Sequence, residues 1–351
     1  MKKLLVLTLS FWGFLLANIA VSPGQQASGP TPYTLRLPEF VSIYFDPMPI
    51  PEENPLTVEG VYLGRKLFYE KRLSANHTMS CATCHQQENG FADFRQFSLG
   101  LQDEVGIRNS MAIVNIGWEK QLFWDGRANS LEQQITDPVT NPIEMNNTWE
   151  KVVQTLQNIP EYPHLFYKAF GSTTIDSYVV MKALAQFERT LVSFNSRFDA
   201  YYFNGIADTL TESEARGLEL FMGRGNCNHC HSDVLLTDNM FRNNGLDAKP
   251  DEGYAKVTGK KTDVGKFKVP SLRNVAATAP YMHDGRFATL RDVVDFYSEG
   301  IQTRSPNLDV HMEPMGKGLR LTIEEKKDLI AFLKTLTDYE FLRNPDFAAP
   351  E

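Results

Sequence analysis

The sequence predicts a mainly α-helical protein made of two similar domains. Strand signals are sparse, whereas amphipathic helices with apolar residues three and four positions apart are predicted at about 176–194 and 322–336. A short pattern, Gly-x-x-Leu-Phe, occurs at 64–68 and again at 217–221. Each copy precedes a Cys-x-x-Cys-His motif, and each half closes on one of the amphipathic helices. An internal repeat of this kind indicates two copies of one structural unit.

The first 54 residues are predicted to lie outside both domains. Residues 1–22 have a basic start and an apolar run, which is typical of a secretory signal peptide and predicts export to the periplasm. The run is nearly long enough to cross a bilayer, so an uncleaved N-terminal anchor remains an alternative. Residues 23–54 are rich in Pro, Gly, Ser and Gln and predict an extended arm. The domains are then expected at 55–205 and 206–345.

Both closing helices have an apolar face. The second repeat also begins with a helix N-cap pattern, Leu210-Thr211-Glu212-Ser213-Glu214. The apolar residues are Val180, Leu184, Phe187 and Leu191 in the first helix, and Ile323, Leu329, Phe332, Leu333 and Leu336 in the second.

Composition limits the functional class. The 351 residues have the balance of a soluble globular protein, and no run after the N-terminal one is long enough to cross a membrane. With 35 basic and 43 acidic residues the net charge is −8. That charge argues against nucleic acid as a partner and mildly favours a basic protein.

All four cysteines lie in two pentapeptides, Cys81-Ala82-Thr83-Cys84-His85 and Cys227-Asn228-His229-Cys230-His231. The spacing suits c-type haem attachment, with two thioether bonds per haem and the histidine as proximal iron ligand. A four-thiolate zinc site is the main alternative, but its cysteine pairs usually lie much closer in sequence. Disulfide frameworks are typical of much shorter secreted chains. The sequence therefore predicts two cytochrome c-like domains, each around one covalently bound haem.

Further motifs connect the two haem motifs. Residues 123–127 read Phe-Trp-Asp-Gly-Arg, and Asn141-Pro142-Ile143-Glu144-Met145 follows. Phe267-Lys268-Val269-Pro270-Ser271-Leu272-Arg273-Asn274 and Thr278-Ala279-Pro280-Tyr281-Met282-His283-Asp284-Gly285 come later. With these motifs in this order, the chain from about 55 to 340 resembles the bacterial dihaem cytochrome c peroxidase family, which includes MauG.

The resemblance implies roles for three residues between the haems. Glu144 matches the family's distal acid/base over the first haem, and Gln134 matches its polar partner. Cleaving an O–O bond needs a group that takes up one proton and returns another, and burial would raise a carboxyl pKa toward the required range. Trp124 matches the residue between the haems, where an indole would relay electrons. Without the resemblance, Glu144 would read as a surface or capping residue and Trp124 as a core residue.

The resemblance also implies a calcium ion at the domain interface. Asn109, Thr278 and Pro280 match the positions whose side-chain or main-chain oxygens bind it. An oxygen-only ligand set completed by water is the kind that calcium prefers.

One departure from the family concerns the first haem. Many members carry a histidine that binds this iron in the resting enzyme, and the matching position here is Leu101. Leucine has no ligating atom, so the resemblance implies a first haem with an open or water-bound sixth position. Of the remaining histidines, His77 is near in sequence but lies on the wrong side of the motif. No family precedent as ligand of this haem exists for His164, His229, His283 or His311.

The second departure concerns the other haem. Peroxidases of the family bind it through Met, whereas Tyr297 occupies the matching position, as Tyr does in MauG. A phenolate ligand should lower the reduction potential and stabilise oxidised iron. Met312 and Met315 remain alternative ligands, and Tyr297 would then be a packed aromatic residue.

Three functions follow as hypotheses. The first is reduction of hydrogen peroxide to water with electrons from a small cytochrome or cupredoxin. The second is the MauG-like variant, in which a high-valent dihaem state oxidises a partner protein; Leu101 and Tyr297 favour it. The third is a dihaem electron carrier, which Glu144 and Gln134 over an open haem disfavour. Dimers are usual in the family, so a homodimer is an expectation.

Overall fold

The computed structural model describes residues 29–312 and 318–350. The described chain is mainly helical, which confirms the predicted class. The predicted signal segment and Met315 lie outside the described residues. The helices are α1 (Glu39–Tyr44), α2 (Val58–Phe68), α3 (Cys81–Cys84), α4 (Leu131–Gln134), α5 (Thr136–Thr140), α6 (Trp149–Gln157), α7 (Glu161–Phe170), α8 (Ser177–Thr190), α9 (Arg197–Tyr202), α10 (Glu212–Met222), α11 (Ala255–Thr258), α12 (Leu290–Asp295) and α13 (Ile323–Lys334).

Two short strands, β1 (Phe241–Arg242) and β2 (Phe267–Lys268), form an antiparallel pair. Phe241 lies opposite Lys268, and Arg242 lies opposite Phe267. In the part of the chain that the structure describes, no helix is both long enough and apolar enough to cross a membrane.

The first repeat forms a close crossing between α2 and α8. At Gly64 a β-carbon would lie 1.9 Å from the carbonyl oxygen of Ala183, so the two backbones touch where only glycine leaves room. One turn further along, the rings of Phe68 and Phe187 meet edge to face with centroids 5.3 Å apart. The glycine and the phenylalanine of the sequence repeat therefore both belong to one helix contact.

The second repeat builds the same contact between α10 and α13. A β-carbon at Gly217 would lie 2.0 Å from the carbonyl oxygen of Asp328, and the rings of Phe221 and Phe332 lie 5.1 Å apart. Helix α10 starts at Thr211, whose hydroxyl accepts a hydrogen bond from the N–H of Glu214, as the capping pattern predicts.

Each crossing lies within its own apolar core. Val180, Leu184, Phe187 and Leu191 are fully buried in the first core. In α13 the predicted face is buried from Leu329 onward, but Ile323 is 65% exposed. Ile323 lies in the first turn of α13, ahead of the segment that packs on α10, so the expectation that it is a core residue is wrong.

Segments near both ends of the described chain pack against the rest of the protein. The predicted arm carries one helical turn, α1, whose Phe40 stacks on Phe203 with centroids 4.5 Å apart. Toward the C-terminus, Phe341 and Phe347 pack into the first core. A buried bidentate ion pair between Arg273 and Asp199 fixes α9 against the second half, with both N···O distances 2.9 Å. The limits of the two domains remain a prediction.

Candidate functional site

The first Cys-x-x-Cys-His motif forms α3. The Ser80 side chain caps this short helix, and the N–H of Ser80 in turn donates to the hydroxyl of Thr83. His85 follows directly, with its Nδ1 2.8 Å from the carbonyl oxygen of Phe91. That contact makes Nδ1 the protonated nitrogen and leaves the Nε2 lone pair for a metal. Burial lowers the pKa of His85, which favours the neutral imidazole that binds iron.

The second motif repeats this arrangement on a short 3₁₀ turn, Cys227–His229. The Nδ1 of His231 lies 3.3 Å from the carbonyl oxygen of Leu236, and burial again lowers the histidine pKa. Both motif histidines therefore have one nitrogen turned to a backbone carbonyl and the other available.

The chemistry of both motifs fits a c-type haem. All four cysteines are free thiols, and burial raises the pKa of Cys84 to about 11 and that of Cys227 to about 12. Among the described residues no cluster of three or more His, Cys, Asp or Glu side chains forms, which disfavours the four-thiolate zinc alternative.

Unpaired polar atoms beside the first motif also indicate that a further group binds there. Asp93 Oδ2 and Glu188 Oε2 are buried without a hydrogen-bond partner among the described residues. Burial raises the pKa of Glu188 to about 8, and its charge acts on the Cys81 thiol. Buried polar atoms rarely stay unpaired, so a further group is expected beside Cys81.

A cavity of about 240 Å³ opens beside the second motif. Cys227, Cys230 and His231 line it together with Tyr297. Tyr297 lies on a π-helical turn, Phe296–Gly300, that continues α12, and such turns often carry functional residues. Burial raises its pKa to about 12, so the phenol keeps its proton unless a cation binds its oxygen.

Three more polar or ligating side chains share this cavity with Tyr297. The amide of Asn244 donates to the Tyr297 hydroxyl at 3.1 Å and also contacts the sulfur of Met282 at 3.7 Å. Met312 also lines the cavity and is only 7% exposed. The cavity therefore brings together the predicted ligand Tyr297 and its alternative Met312.

Glu144 lies near the first motif. Its carboxylate accepts a hydrogen bond of 2.8 Å from the Asn141 amide, and its charge is one of those that raise the pKa of the Cys84 thiol. Burial raises the pKa of Glu144, opposed by the Asn141 hydrogen bond. Leu101 is buried beside it, and its N–H donates to the Glu144 carbonyl at 3.1 Å. Leu101 and Glu144, predicted separately, are thus neighbours.

Gln134 is the last residue of α4, and its backbone N–H donates to the carbonyl of Ser130 at 2.9 Å. Within the described chain, no side-chain hydrogen bond holds its amide.

Trp124 connects the two motifs. Its indole N–H donates to the Asn109 carbonyl at 2.8 Å, and the next residue, Ser110, places its hydroxyl 3.2 Å from the carbonyl oxygen of Cys84. Trp124 also lines the cavity that contains His231. The indole is therefore linked through Asn109 and Ser110 to the first motif and shares a cavity with the second.

The predicted calcium residues also meet in this region. Asn109, Thr278 and Pro280 all line the same cavity. The Asn109 amide nitrogen donates to the carbonyls of Arg95 and Gln96, both at 3.2 Å, which turns its side-chain oxygen away from them. The donor set of amide and carbonyl oxygens suits calcium.

Sequence reasoning missed Asn141, Asn244 and Met282. Asn141 precedes Glu144 by three residues within the motif already noted, so local spacing could have indicated it. Asn244 is 53 residues from Tyr297, and no local pattern links them. Met282 lies within a noted motif, but only the folded chain places its sulfur in the cavity.

Comparison with known proteins identifies the family. Residues 58–207 match the family described as di-haem cytochrome c peroxidase. The methylamine utilization protein MauG of Methylorubrum extorquens is 39% identical over 292 residues, which cover 82% of this chain and 81% of the relative. The cytochrome-c peroxidase IdrP1 of Pseudomonas sp. (strain SCT) is 34% identical over 337 residues, covering 87% of each chain.

A solved structure is similar across nearly the whole fold. It is the crystal structure of a MauG-like protein associated with microbial copper homeostasis. The TM-score is 0.82 at 38% identity, and the match covers 91% of this chain and 99% of the other. From these matches, the chain belongs to the di-haem cytochrome c peroxidase family, a family of haem oxidoreductases that includes MauG.

Proposed function

We propose that this chain is an exported, periplasmic peroxidase-type enzyme in which hydrogen peroxide reacts beside the first Cys-x-x-Cys-His motif. Each motif would hold one haem through its two cysteines, with His85 and His231 as proximal ligands. When bound, the haems supply the site that binds peroxide and the one-electron chemistry that reduces it. Reduction to two waters consumes two electrons and two protons, which a reducing partner and the solvent provide.

Glu144 is the proton-transfer group in this proposal. Its carboxylate takes a proton from bound peroxide and returns it to the leaving oxygen. The raised pKa brings the carboxyl closer to neutrality, where both steps are feasible. Asn141 holds one carboxylate oxygen, and we assign Gln134 the role of a polar partner that contacts the peroxide.

Trp124 carries electrons between the two halves. Its indole lines the second cavity and is joined through Asn109 and Ser110 to the first motif. A calcium ion on Asn109, Thr278 and Pro280 would hold this junction in place.

The position of Tyr297 is the observation that favours a MauG-like subtype. Its hydroxyl is held by Asn244 in the cavity of the second motif, beside Cys227, Cys230 and His231. A phenolate on the second iron would stabilise the oxidised state and make this half a store for oxidising equivalents. The oxidised enzyme would then oxidise an aromatic residue of a protein partner.

Met312 supports a second candidate, the ordinary cytochrome c peroxidase. Its thioether is buried in the same cavity, and methionine ligation would raise the potential so that a small cytochrome or cupredoxin could donate electrons. A dihaem electron carrier is disfavoured, because Leu101 beside Glu144 offers no second ligand to the first iron.

The discriminating experiment is a stoichiometric peroxide titration of the fully oxidised holoprotein, followed by visible spectroscopy. A state that keeps both oxidising equivalents for minutes supports the MauG-like subtype. Fast turnover with a reduced small cytochrome supports the ordinary peroxidase. A holoprotein that does not react with peroxide would overturn both.

A further inference from the structure

A second cavity connects the second haem motif with exposed tyrosines. This cavity, about 520 Å³ in volume, is lined by His231 at one place and by Tyr202 and Tyr44 at another. Tyr202 is 48% exposed and Tyr44 is 63% exposed. Exposed tyrosines also occur at Tyr62, Tyr167, Tyr178 and Tyr339, but none of these lines either cavity.

A continuous row of aromatic rings forms one wall. Phe221 lines both cavities, and its ring lies 5.1 Å from that of Phe332. Phe332 lies 5.7 Å from Phe198, which is stacked on Tyr202 at 5.1 Å and an interplanar angle of 22°. These centroid distances are those of rings in direct contact. From Phe221, which lines the cavity of the second haem motif, rings in contact thus reach Tyr202 at the protein surface.

Only the last ring of this row is readily oxidised. Phenylalanine has no ionisable proton and resists one-electron oxidation, whereas a phenol gives up an electron together with its O–H proton. The three phenylalanines therefore serve as a packed medium through which an electron tunnels. Tyr202 ends the row at the surface, where water takes up the released proton.

We infer that Tyr202 is the point at which electrons enter the second half of the protein from a protein partner. The inference rests on the proposed function, because hydrogen peroxide supplies the oxidising equivalents. In each one-electron step Tyr202 loses an electron to the oxidised enzyme and its phenol proton to water. The neutral tyrosyl radical then takes an electron and a proton from an aromatic side chain of the partner. Two such steps balance the two electrons and two protons that one peroxide consumes.

The arm and α9 meet beside Tyr202. Tyr44 of α1 lies 5.8 Å from the ring of Phe203, and Phe203 lies 5.1 Å from Tyr202. Tyr44 is therefore a neighbour to which the radical can migrate.

Spin trapping tests the assignment. The oxidised holoprotein is mixed with one equivalent of peroxide and a nitrone or nitroso trap, and adducts are mapped by peptide mass spectrometry. The expected adduct lies on Tyr202, with a lesser one on Tyr44. Tyr202→Phe should lose the Tyr202 adduct, and Tyr202→Trp should restore an adduct at that position. Haem content and the visible spectrum of both variants serve as the folding control.

Tyr178→Phe is the matched control, since Tyr178 is 46% exposed but contacts Lys182 rather than an aromatic row. This variant should keep the wild-type pattern. Peroxide consumption with adducts on Tyr178 or elsewhere, and none on Tyr202 or Tyr44, would overturn the inference and leave the proposed function standing. Absence of peroxide consumption in the wild type would overturn the proposed function, and the inference with it.

Discussion

The backbone N–H of Leu101 donates a hydrogen bond of 3.1 Å to the carbonyl oxygen of Glu144. The preceding residue, Gly100, fits so tightly that a β-carbon there would lie 1.7 Å from the carbonyl oxygen of Ile143. The segment around Leu101 is therefore fixed against the segment that carries the proposed acid/base. A residue without a ligating atom is thus held next to a carboxylate, which is the arrangement that the proposed open peroxide site would need.

Leu101→His tests whether this position faces the first iron. An imidazole there should bind the ferric iron, change its spectrum from high-spin to low-spin, and slow the reaction with peroxide. Leu101→Val is the control, because it changes the packing without adding a ligand. A high-spin spectrum in Leu101→His would show that the side chain points elsewhere.

Glu144→Gln removes the proposed proton-transfer group while keeping its shape. Loss of general acid–base catalysis should slow the peroxide reaction by roughly 10²- to 10⁴-fold. Stopped-flow absorbance measures this rate, and the haem content of the purified variant serves as the control. A rate equal to that of the wild type, with both haems bound, would remove Glu144 from the mechanism.

Asn141→Ala should move the acidic limb of the pH–rate profile to higher pH. The Asn141 amide donates to the carboxylate and so lowers the Glu144 pKa, against the larger effect of burial. Without this donor the pKa rises further, and the ionised form that accepts the peroxide proton appears only at higher pH. As the pH is lowered, the rate of the variant should therefore begin to fall at a higher pH than that of the wild type. Asn158→Ala, at the exposed end of α6, should leave the profile in place.

The sequence predicts the parts of this protein that repeat or lie close together in the chain. Gly64 and Phe68 in one half, and Gly217 and Phe221 in the other, are visible as a repeat because the same helix crossing is used twice. The two predicted iron ligands are visible as well, because each histidine directly follows the second cysteine of its motif.

Contacts that depend on the folded chain were not predictable in this way. The Asn244 amide reaches Tyr297 across 53 residues, and the aromatic row from Phe221 to Tyr202 draws on three helices. Ile323 shows the opposite error: its spacing fits the apolar face of α13, but that turn extends beyond the partner helix. Periodicity identifies a face and does not show how far the neighbouring helix covers it.

Tyr297→Met should raise the reduction potential of the second haem. Exchanging a phenolate for a thioether is expected to give a rise of a few hundred millivolts, within the roughly 0.8 V range that axial ligands cover. Spectroelectrochemical titration measures it, and Met312→Leu is the control that should leave the potential unchanged. If Met312→Leu lowers the potential and Tyr297→Met does not raise it, Met312 is the ligand.

Gly64→Ala and Gly217→Ala should each destabilise the fold by a similar amount. A β-carbon would lie 1.9 Å from the Ala183 carbonyl in the first variant and 2.0 Å from the Asp328 carbonyl in the second. Both are backbone atoms of a packed helix and cannot rotate away, and overpacking of this kind costs about 1–3 kcal/mol. The better helix propensity of alanine recovers at most about 1 kcal/mol, so the net free energy of unfolding should fall.

Gly106→Ala is the comparison for both variants, because its β-carbon would lie 3.8 Å from its nearest neighbours, the carbonyl oxygens of Arg108 and Ser98. Its cost should be smaller, since no neighbouring atom has to move. Chemical denaturation of the three haem-loaded variants measures the differences. Equal costs at Gly106 and Gly64, or a gain in stability at Gly217, would mean that the helix crossings are looser than the structure shows and that the repeat reflects haem packing instead.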